Sequence, residues 1–189
     1  MKSKNLFRLM INPFSRITGW ERFAIGLVIV VLSAIIGRYS YVCFDGVWDI
    51  HMSKHLTLGS ALAMQLISTF TLVLVMCITG LIVSKGFRFI DVLGTMVFAR
   101  IPLLLPALAG FYVHITPEEI MKKPLLFIVS PSLIIFGLLS LLVVAWEITL
   151  MVNGFKVSFN MKGNKLIVSF VVAFFVSEII SKVLVYFIQ

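Results

Sequence analysis

The chain has 189 residues, of which 60% are hydrophobic and 13% are charged, and its mean hydropathy is +1.10. Soluble domains carry about a quarter charged residues, so this composition excludes an ordinary soluble protein and indicates a polytopic membrane protein. The formal net charge is +8. The apolar runs are long and continuous, which favours transmembrane helices over the alternating strands of outer-membrane barrels.

The first 21 residues are basic and carry several apolar and aromatic side chains. Asn12 followed by Pro13 is typical of a helix start, because the asparagine can cap the helix and the proline lacks an N–H that would be unpaired there. We expect residues 1–21 to lie along the inner membrane surface as an amphipathic segment. Trp20 would then sit at the level of the lipid head groups.

The remainder, residues 22–189, is predicted to form one all-α membrane domain with five transmembrane helices. The predicted spans are about 22–43, 57–84, 89–113, 125–152 and 165–188. Five spans place the two ends of the chain on opposite sides of the membrane.

Lysine and arginine are distributed unevenly over the predicted loops. Ten of the sixteen lie in the N-terminal segment and in the second and fourth loops, whereas the alternate loops hold four. Short loops rich in these residues face the cytoplasm, so we predict a cytoplasmic N-terminus and an outside C-terminus. The positive charge is then an orientation signal that also attracts anionic lipids, and no nucleic-acid partner is expected.

Two features are predicted in the outer loops. Thr116, Pro117 and Glu119 form a capping box with a proline in the first turn, which predicts a short helix over 117–123. His51, His55 and His114, with Asp49 nearby, are weak candidates for a zinc site. No HExxH arrangement links the three histidines, so solvated loop histidines are the favoured interpretation.

No enzyme motif is present: the sequence contains no nucleophile elbow, phosphate loop or dinucleotide fingerprint. We therefore expect a non-enzymatic protein that needs no cofactor and no metal.

Five ionisable residues fall within or at the ends of the predicted spans, namely Asp91, Arg100, Glu147, Glu178 and Lys182. A charge in lipid costs about 2.5–3.5 kcal/mol on insertion scales, so each should face the bundle or reach the surface. Arg100 and Glu178 lie at similar depth, counted at about 1.5 Å per residue. We predict that they pair, that Lys182 shares the carboxylate or extends outward, and that Asp91 and Glu147 lie near the inner interface.

This polar cluster has two interpretations that stay open, a structural contact between helices and a path for a substrate or proton. Structural pairing is favoured, because a proton path needs a chain of titratable groups and Gln65 is the other strongly polar side chain at mid-depth. Pro102 and Pro106 predict a break in the third span. The broken backbone would leave carbonyls free, which makes Arg100 a candidate donor to them.

Three stretches carry a resemblance to a known family: INPFSRITGW (11–20), GFRFIDVLGTMVFARIPLLLP (86–106) and WEITLMVNGFKVSFNMKGNK (146–165). They resemble the Ypt-interacting-protein (Yip) domain family, most closely its bacterial members. The resemblance implies five spans, a proline inside the third span, matched by Pro102, and a tryptophan at the end of the fourth, matched by Trp146. It also implies a loop with glycine and basic residues, matched by Gly154 and Lys165.

For function, the resemblance implies an organiser of membranes or partner proteins. Eukaryotic relatives are associated with Rab-type GTPases and hetero-oligomers, but their cytoplasmic Asp-Leu-Tyr-Gly-Pro segment has no counterpart here. We therefore expect an integral protein of the bacterial cytoplasmic membrane that acts as a homo-oligomer or with membrane-protein partners. The alternative is a small transporter or channel component whose path passes Arg100, Glu178 and Lys182, although five spans cannot divide evenly into inverted repeats.

Overall fold

The computed structural model describes residues 10–15, 17–53, 56–113, 115–123 and 125–188. Its long helices and the segments between them are, in chain order, α1 (Gly19–Ser40), β1 (Val42–Cys43), β2 (His51–Met52), α2 (Leu58–Val83), α3 (Phe89–Ala99), α4 (Leu104–Ala109), α5 (Pro117–Lys122), α6 (Leu126–Val129), α7 (Pro131–Phe159) and α8 (Gly163–Tyr186). The strands β1 and β2 form a small antiparallel hairpin in which Val42 pairs with Met52 and Cys43 with His51.

Five helical elements are long and apolar enough to cross a membrane, which confirms the predicted helical bundle with five candidate spans. They are α1, α2, the element Phe89–Tyr112, α7 and α8. The fourth differs most from its predicted bounds, because it runs to Phe159 instead of ending near residue 152. It ends where Asn160 adopts a left-handed conformation, with φ of 48°.

The third span is not one continuous α-helix. Between α3 and α4 the chain forms a 3-10 turn at Ile101–Leu103, and a second turn, Gly110–Tyr112, ends the span. The first turn coincides with the break that Pro102 predicts, since proline cannot donate to the preceding helical turn. Pro106 is the third residue of α4, where a missing N–H removes no bond within that helix.

The short helix predicted over 117–123 is present as α5 (Pro117–Lys122), where its capping box places it. The Thr116 hydroxyl accepts from the Glu119 amide at 3.4 Å, and the Glu119 carboxylate accepts from the Thr116 amide at 2.9 Å. These bonds with Thr116 lower the pKa of Glu119 below its usual value.

The bundle has two distinct ends. At the end called here the basic end lie the start of α1, the α2–α3 connection and the α7–α8 turn, where Thr95 and Ser158 hydroxyls are 3.0 Å apart. At the opposite end, called the hairpin end, lie the β1–β2 hairpin, α5 and the end of α8. The main apolar core, which includes Val30, Leu72 and Met151, lies between the helices.

The described part of the N-terminal segment packs against the bundle. Phe14 is buried and lies edge-on to Phe98, with ring centroids 5.9 Å apart. Trp146 Nε1 donates to the Met10 carbonyl at 2.9 Å, and the Asn153 amide donates to the Ile11 carbonyl at 3.2 Å. Trp146 lies about 20 Å along α7 from its end at the basic end.

These contacts correct the expectation of a segment lying along the membrane surface, as far as residues 10–14 are concerned. Backbone carbonyls that would otherwise need water are satisfied by side chains of α7, which lets this part of the chain run along the helix. Asn12–Pro13 begins a 3-10 turn, Pro13–Ser15, and not an α-helix. Trp20 is 68% exposed, and residues 1–9 and 16 lie outside the described residues.

Gly26 allows α1 to approach α3 closely. A side-chain carbon at Gly26 would lie 2.7 Å from the Phe98 amide nitrogen, whereas one at Gly137 on α7 would meet nothing within 4 Å. We expect Gly26→Ala to lower the free energy of unfolding by about 1–3 kcal/mol, because the backbones must separate. Thermal unfolding in detergent measures the change.

The matched control is Gly137→Ala, which adds the same methyl group on an open face of a helix. It should leave the melting temperature unchanged or slightly raised, since alanine favours helix over glycine. Equal destabilisation by both substitutions would contradict the assigned packing of α1 on α3.

Candidate functional site

Arg100 is a fully buried charge, with an exposed fraction of 0%. It stands at the C-terminal end of α3, immediately before the 3-10 turn, so the break in the helix directs its side chain into the bundle. A guanidinium group in this position needs hydrogen-bond acceptors and a counter-charge from the protein, because the hydrocarbon of a membrane supplies neither.

Four acceptors surround the two terminal nitrogens of Arg100. Nη1 donates to Glu147 Oε1 at 3.0 Å and to the Val47 carbonyl, and Nη2 donates to the Ser68 hydroxyl at 3.0 Å and to the Gly46 carbonyl at 3.2 Å. These partners come from α7, from α2 and from the loop inside the β1–β2 hairpin. Arg100 therefore joins α3 to three other parts of the chain.

Glu147 replaces Glu178 as the carboxylate partner of Arg100, which corrects two predictions. Glu147 is 0% exposed and lies twelve residues before the end of α7, so it is not an interfacial charge. The depth count was wrong because the fourth span was predicted to end near residue 152. The fourth span ends at Phe159, shortly before Gly163. Counting back from that end places Glu147 at the depth of Arg100.

Glu178 binds the same loop from the opposite side. Its Oε2 atom accepts from the Val47 amide at 2.6 Å, while the Val47 carbonyl accepts from Arg100. A side-chain carbon at Gly46 would lie 2.8 Å from Glu178 Oε2, so a larger residue there would displace this carboxylate from its present position. The loop of Phe44–Ile50, called here the inserted loop, is thus held between a buried arginine and a glutamate.

Apolar packing seals the inserted loop. Phe44 and Val47 are 3% and 0% exposed, and the Trp48 ring lies 6.4 Å from that of Phe174 on α8. Such burial is unusual for a loop between two spans. The run of valine, cysteine, phenylalanine and tryptophan in 42–48 was the sequence signal for it.

Lys182 binds two aspartates of the hairpin and not Glu178, which corrects the prediction that they share a bond. Its Nζ donates to Asp45 Oδ1 at 2.8 Å and to an Asp49 carboxylate oxygen. His51 Nδ1 lies 3.4 Å from the same Asp45 oxygen. The hairpin end is therefore tied to α8 by alternating positive and negative charges.

These contacts shift two pKa values in the hairpin. Burial alone would raise the pKa of Asp45, but its bonds with His51 and Lys182 lower it to about 2. The bond with Asp45, assisted by Cys43, raises the pKa of His51 to about 10. Both groups are consequently charged at neutral pH.

Two residues of the candidate zinc site, Asp49 and His51, lie close to Asp45: ligand atoms of the three lie within 4.8 Å of one another. The other two candidates, His55 and His114, lie outside the described residues. The Lys182 ammonium already provides the positive charge between the two carboxylates. Charge balance in this cluster therefore needs no metal ion.

Asp91 lies at the basic end, 4.0 Å from Arg22 Nη1. The start of α1 provides this counter-charge, because α1 packs directly against α3.

Several polar atoms near the centre have no hydrogen-bond partner within the described part of the chain. They are both amide atoms of Gln65, Arg100 Nε and Glu147 Oε2. The predicted donation from Arg100 to the broken backbone of the third span is not what the structure has: the carbonyls it binds belong to the inserted loop.

Comparison with protein-family models, with curated proteins and with solved structures finds no match for this chain. The Yip resemblance therefore stays a prediction. The length and composition of the helices define only a class, that of multi-pass helical membrane proteins. A charged network lies at the centre of the bundle.

The pairing of Arg100 with Glu147 can be tested by partial rescue. We expect Arg100→Gln to destabilise the protein by about 3–5 kcal/mol, because it leaves the buried Glu147 carboxylate without its counter-charge. Adding Glu147→Gln should recover part of this loss, and adding Glu178→Gln should recover less. Melting temperature and yield in detergent report the outcome, and rescue by position 178 alone would contradict the assigned pair.

The protonation of His51 provides a test by NMR. Its raised pKa means that the charged imidazole stabilises the folded hairpin below about pH 6.5 and that this contribution is lost as the pH rises through about 10. We expect the imidazole nitrogen shifts to report a protonated ring at pH 8. Asp45→Asn should move the midpoint back toward 6.5, and a wild-type midpoint near 6.5 would contradict the contact.

Proposed function

We propose that this protein is a non-enzymatic integral membrane protein of the Yip type that organises membrane lipid or partner membrane proteins. One observation carries this proposal: every terminal N–H of Arg100 is directed at a fixed protein acceptor. An arginine has five N–H donors, four of them on its Nη atoms. With those four engaged in holding the inserted loop, the side chain has little capacity left to bind a substrate.

The charge distribution supports a cytoplasmic basic end. That end carries Arg22, Lys85, Arg88 and the lysines of the α7–α8 region. The described lysines and arginines at the hairpin end are Arg38, Lys122, Lys123 and Lys182, and the last of these is paired with the hairpin aspartates. The positive-inside rule then gives a cytoplasmic N-terminus and an outside C-terminus, in the cytoplasmic membrane of a bacterium.

Partners of this proposed organiser are anionic lipids and membrane proteins, including further copies of the chain. Large apolar side chains cover the outer faces of the helices, among them Leu81, Leu141 and Val168. Such faces suit lipid or another membrane helix equally. Binding of Rab-type GTPases is not included, since the segment associated with it in eukaryotic relatives is absent from the sequence.

A second candidate is the small transporter or channel component, and one observation favours it. The unpartnered atoms of Gln65, Arg100 and Glu147 are polar groups at the centre of the bundle. Buried polar groups are usually satisfied by protein or by ordered water. A water-filled path to them would make the network part of a conducting route.

Accessibility of single cysteines separates the two candidates. In a background with Cys43→Ala and Cys77→Ala, we expect Gln65→Cys and the similarly buried Thr69→Cys to resist a membrane-impermeant maleimide from both sides of sealed vesicles. Both should react after denaturation. The measurement is the labelled fraction by mass spectrometry.

Two exposed positions serve as controls and report orientation. Lys85→Cys should react from the cytoplasmic side only, and Tyr112→Cys, which is 78% exposed in the native chain, from the outside only. Labelling at position 65 or 69 from one side would favour the transporter. Reversed labelling of the two controls would overturn the proposed orientation.

A further inference from the structure

A groove opens at the basic end between the end of α2 and the α7–α8 turn. Its volume is about 440 Å³, and its polar lining consists of Ser84, Lys85, Asn160, Lys162 and Lys165. This volume lies within the roughly 300–1,000 Å³ of ordinary ligand clefts. We propose that this basic groove binds the phosphate head group of an anionic membrane lipid.

The charge of the groove is uncompensated. Three lysines line it and no carboxylate does, and within the described chain none of the three forms an ion pair. The three groove lysines are exposed. Three buried or half-buried cations elsewhere in the described chain have partners: Arg22 is near Asp91, Arg100 binds Glu147, and Lys182 binds the hairpin aspartates. The groove is thus a place where positive side chains converge without an internal anion.

The backbone around the groove adds to the positive potential. Helix α8 begins at Gly163, and the preceding Lys162 makes no side-chain capping bond. The first N–H groups of a helix have no partner within it, and they carry the positive end of the helix dipole. Gly163 and Asn160 both have positive φ, of 69° and 48°, and both lie in the short turn between α7 and α8.

The surroundings favour a lipid over a soluble phosphate. The groove lies at the ends of three helices that are long and apolar enough to cross a membrane. Its floor includes the buried ring of Phe159. Beside it, Leu81 and Ile82 in the last turn of α2 and Ile167 in the first turns of α8 are 74%, 78% and 57% exposed. An amphiphile places its phosphate at the lysines and its acyl chains on these apolar side chains.

The head-group site deepens the proposed function, because it gives the anionic-lipid partner a defined location. It requires in addition only that the helices span a membrane, so loss of the site would leave the protein-partner part of that function standing. The basic lysines thereby form a specific head-group site in addition to their general contribution to orientation. A transporter with the same groove would bind the same lipid.

Native mass spectrometry of the purified, detergent-exchanged protein tests the site with added phosphatidylglycerol. We expect saturable binding of phosphatidylglycerol and much weaker binding of phosphatidylcholine. We expect binding to be about fivefold weaker in each of the single variants Lys85→Gln, Lys162→Gln and Lys165→Gln, and about 100-fold weaker in the triple variant. The attraction of one basic residue to an anionic lipid surface corresponds to roughly a fivefold change in affinity.

The control removes the same charge elsewhere: Arg88→Gln, Lys122→Gln and Lys156→Gln change exposed basic residues that do not line the groove. It should retain wild-type affinity. If the triple groove variant fails to fold, by circular dichroism and gel filtration, the three single variants provide the comparison. Equal losses in groove and control variants, or equal affinity for both lipids, would overturn the proposal.

A competition arm distinguishes the source of the anion. Inorganic phosphate at millimolar concentration should not displace bound phosphatidylglycerol, because it lacks the acyl chains that pack beside the groove. Displacement by phosphate, or binding of phosphate with no binding of lipid, would show a site for a soluble anion and would overturn the lipid assignment.

Discussion

The fold depends on the requirement that Arg100, a permanent positive charge inside an apolar span, be surrounded by acceptors. Neutral helix faces cannot meet that requirement, because helical carbonyls are already engaged in their own hydrogen bonds. The chain supplies two backbone carbonyls from the inserted loop, a hydroxyl from α2 and a carboxylate from α7. Because these four acceptors come from three different parts of the chain, satisfying one side chain fixes the relative positions of α2, α3, α7 and the hairpin.

The two ends of the bundle differ in how their charges are arranged. At the hairpin end, positive and negative side chains alternate through His51, Asp45, Lys182 and Asp49, and the inserted loop closes the space between the helices. At the basic end the cations of the groove face no internal anion. The two ends therefore differ in charge: at the hairpin end the side chains neutralise one another, whereas at the basic end the lysines of the groove stay uncompensated within the described chain.

Prediction from sequence succeeded where a signal is local. The five apolar runs, the Thr116–Glu119 capping box and the break at Pro102 all depend on residues within a few positions of each other, and all are present. The predicted partners of Arg100 and Lys182 were wrong, because the actual contacts depend on how far α7 extends and on a loop that folds into the bundle. An error of seven residues in the end of the fourth span moved Glu147 from the centre to the interface.

The sequence by itself determined that the chain is a helical membrane protein, how many spans it has, and that Arg100 must be compensated, since hydropathy and charge act at any position in the chain. Only the tertiary structure decided which groups compensate it. The depth of a residue along a helix does not specify how the helix is rotated about its axis. The composition of a loop does not by itself determine where the loop lies. Contacts such as that of Arg100 with Val47, 53 residues apart in the chain, arise from packing of the whole bundle. The lysines of the basic groove converge for the same reason.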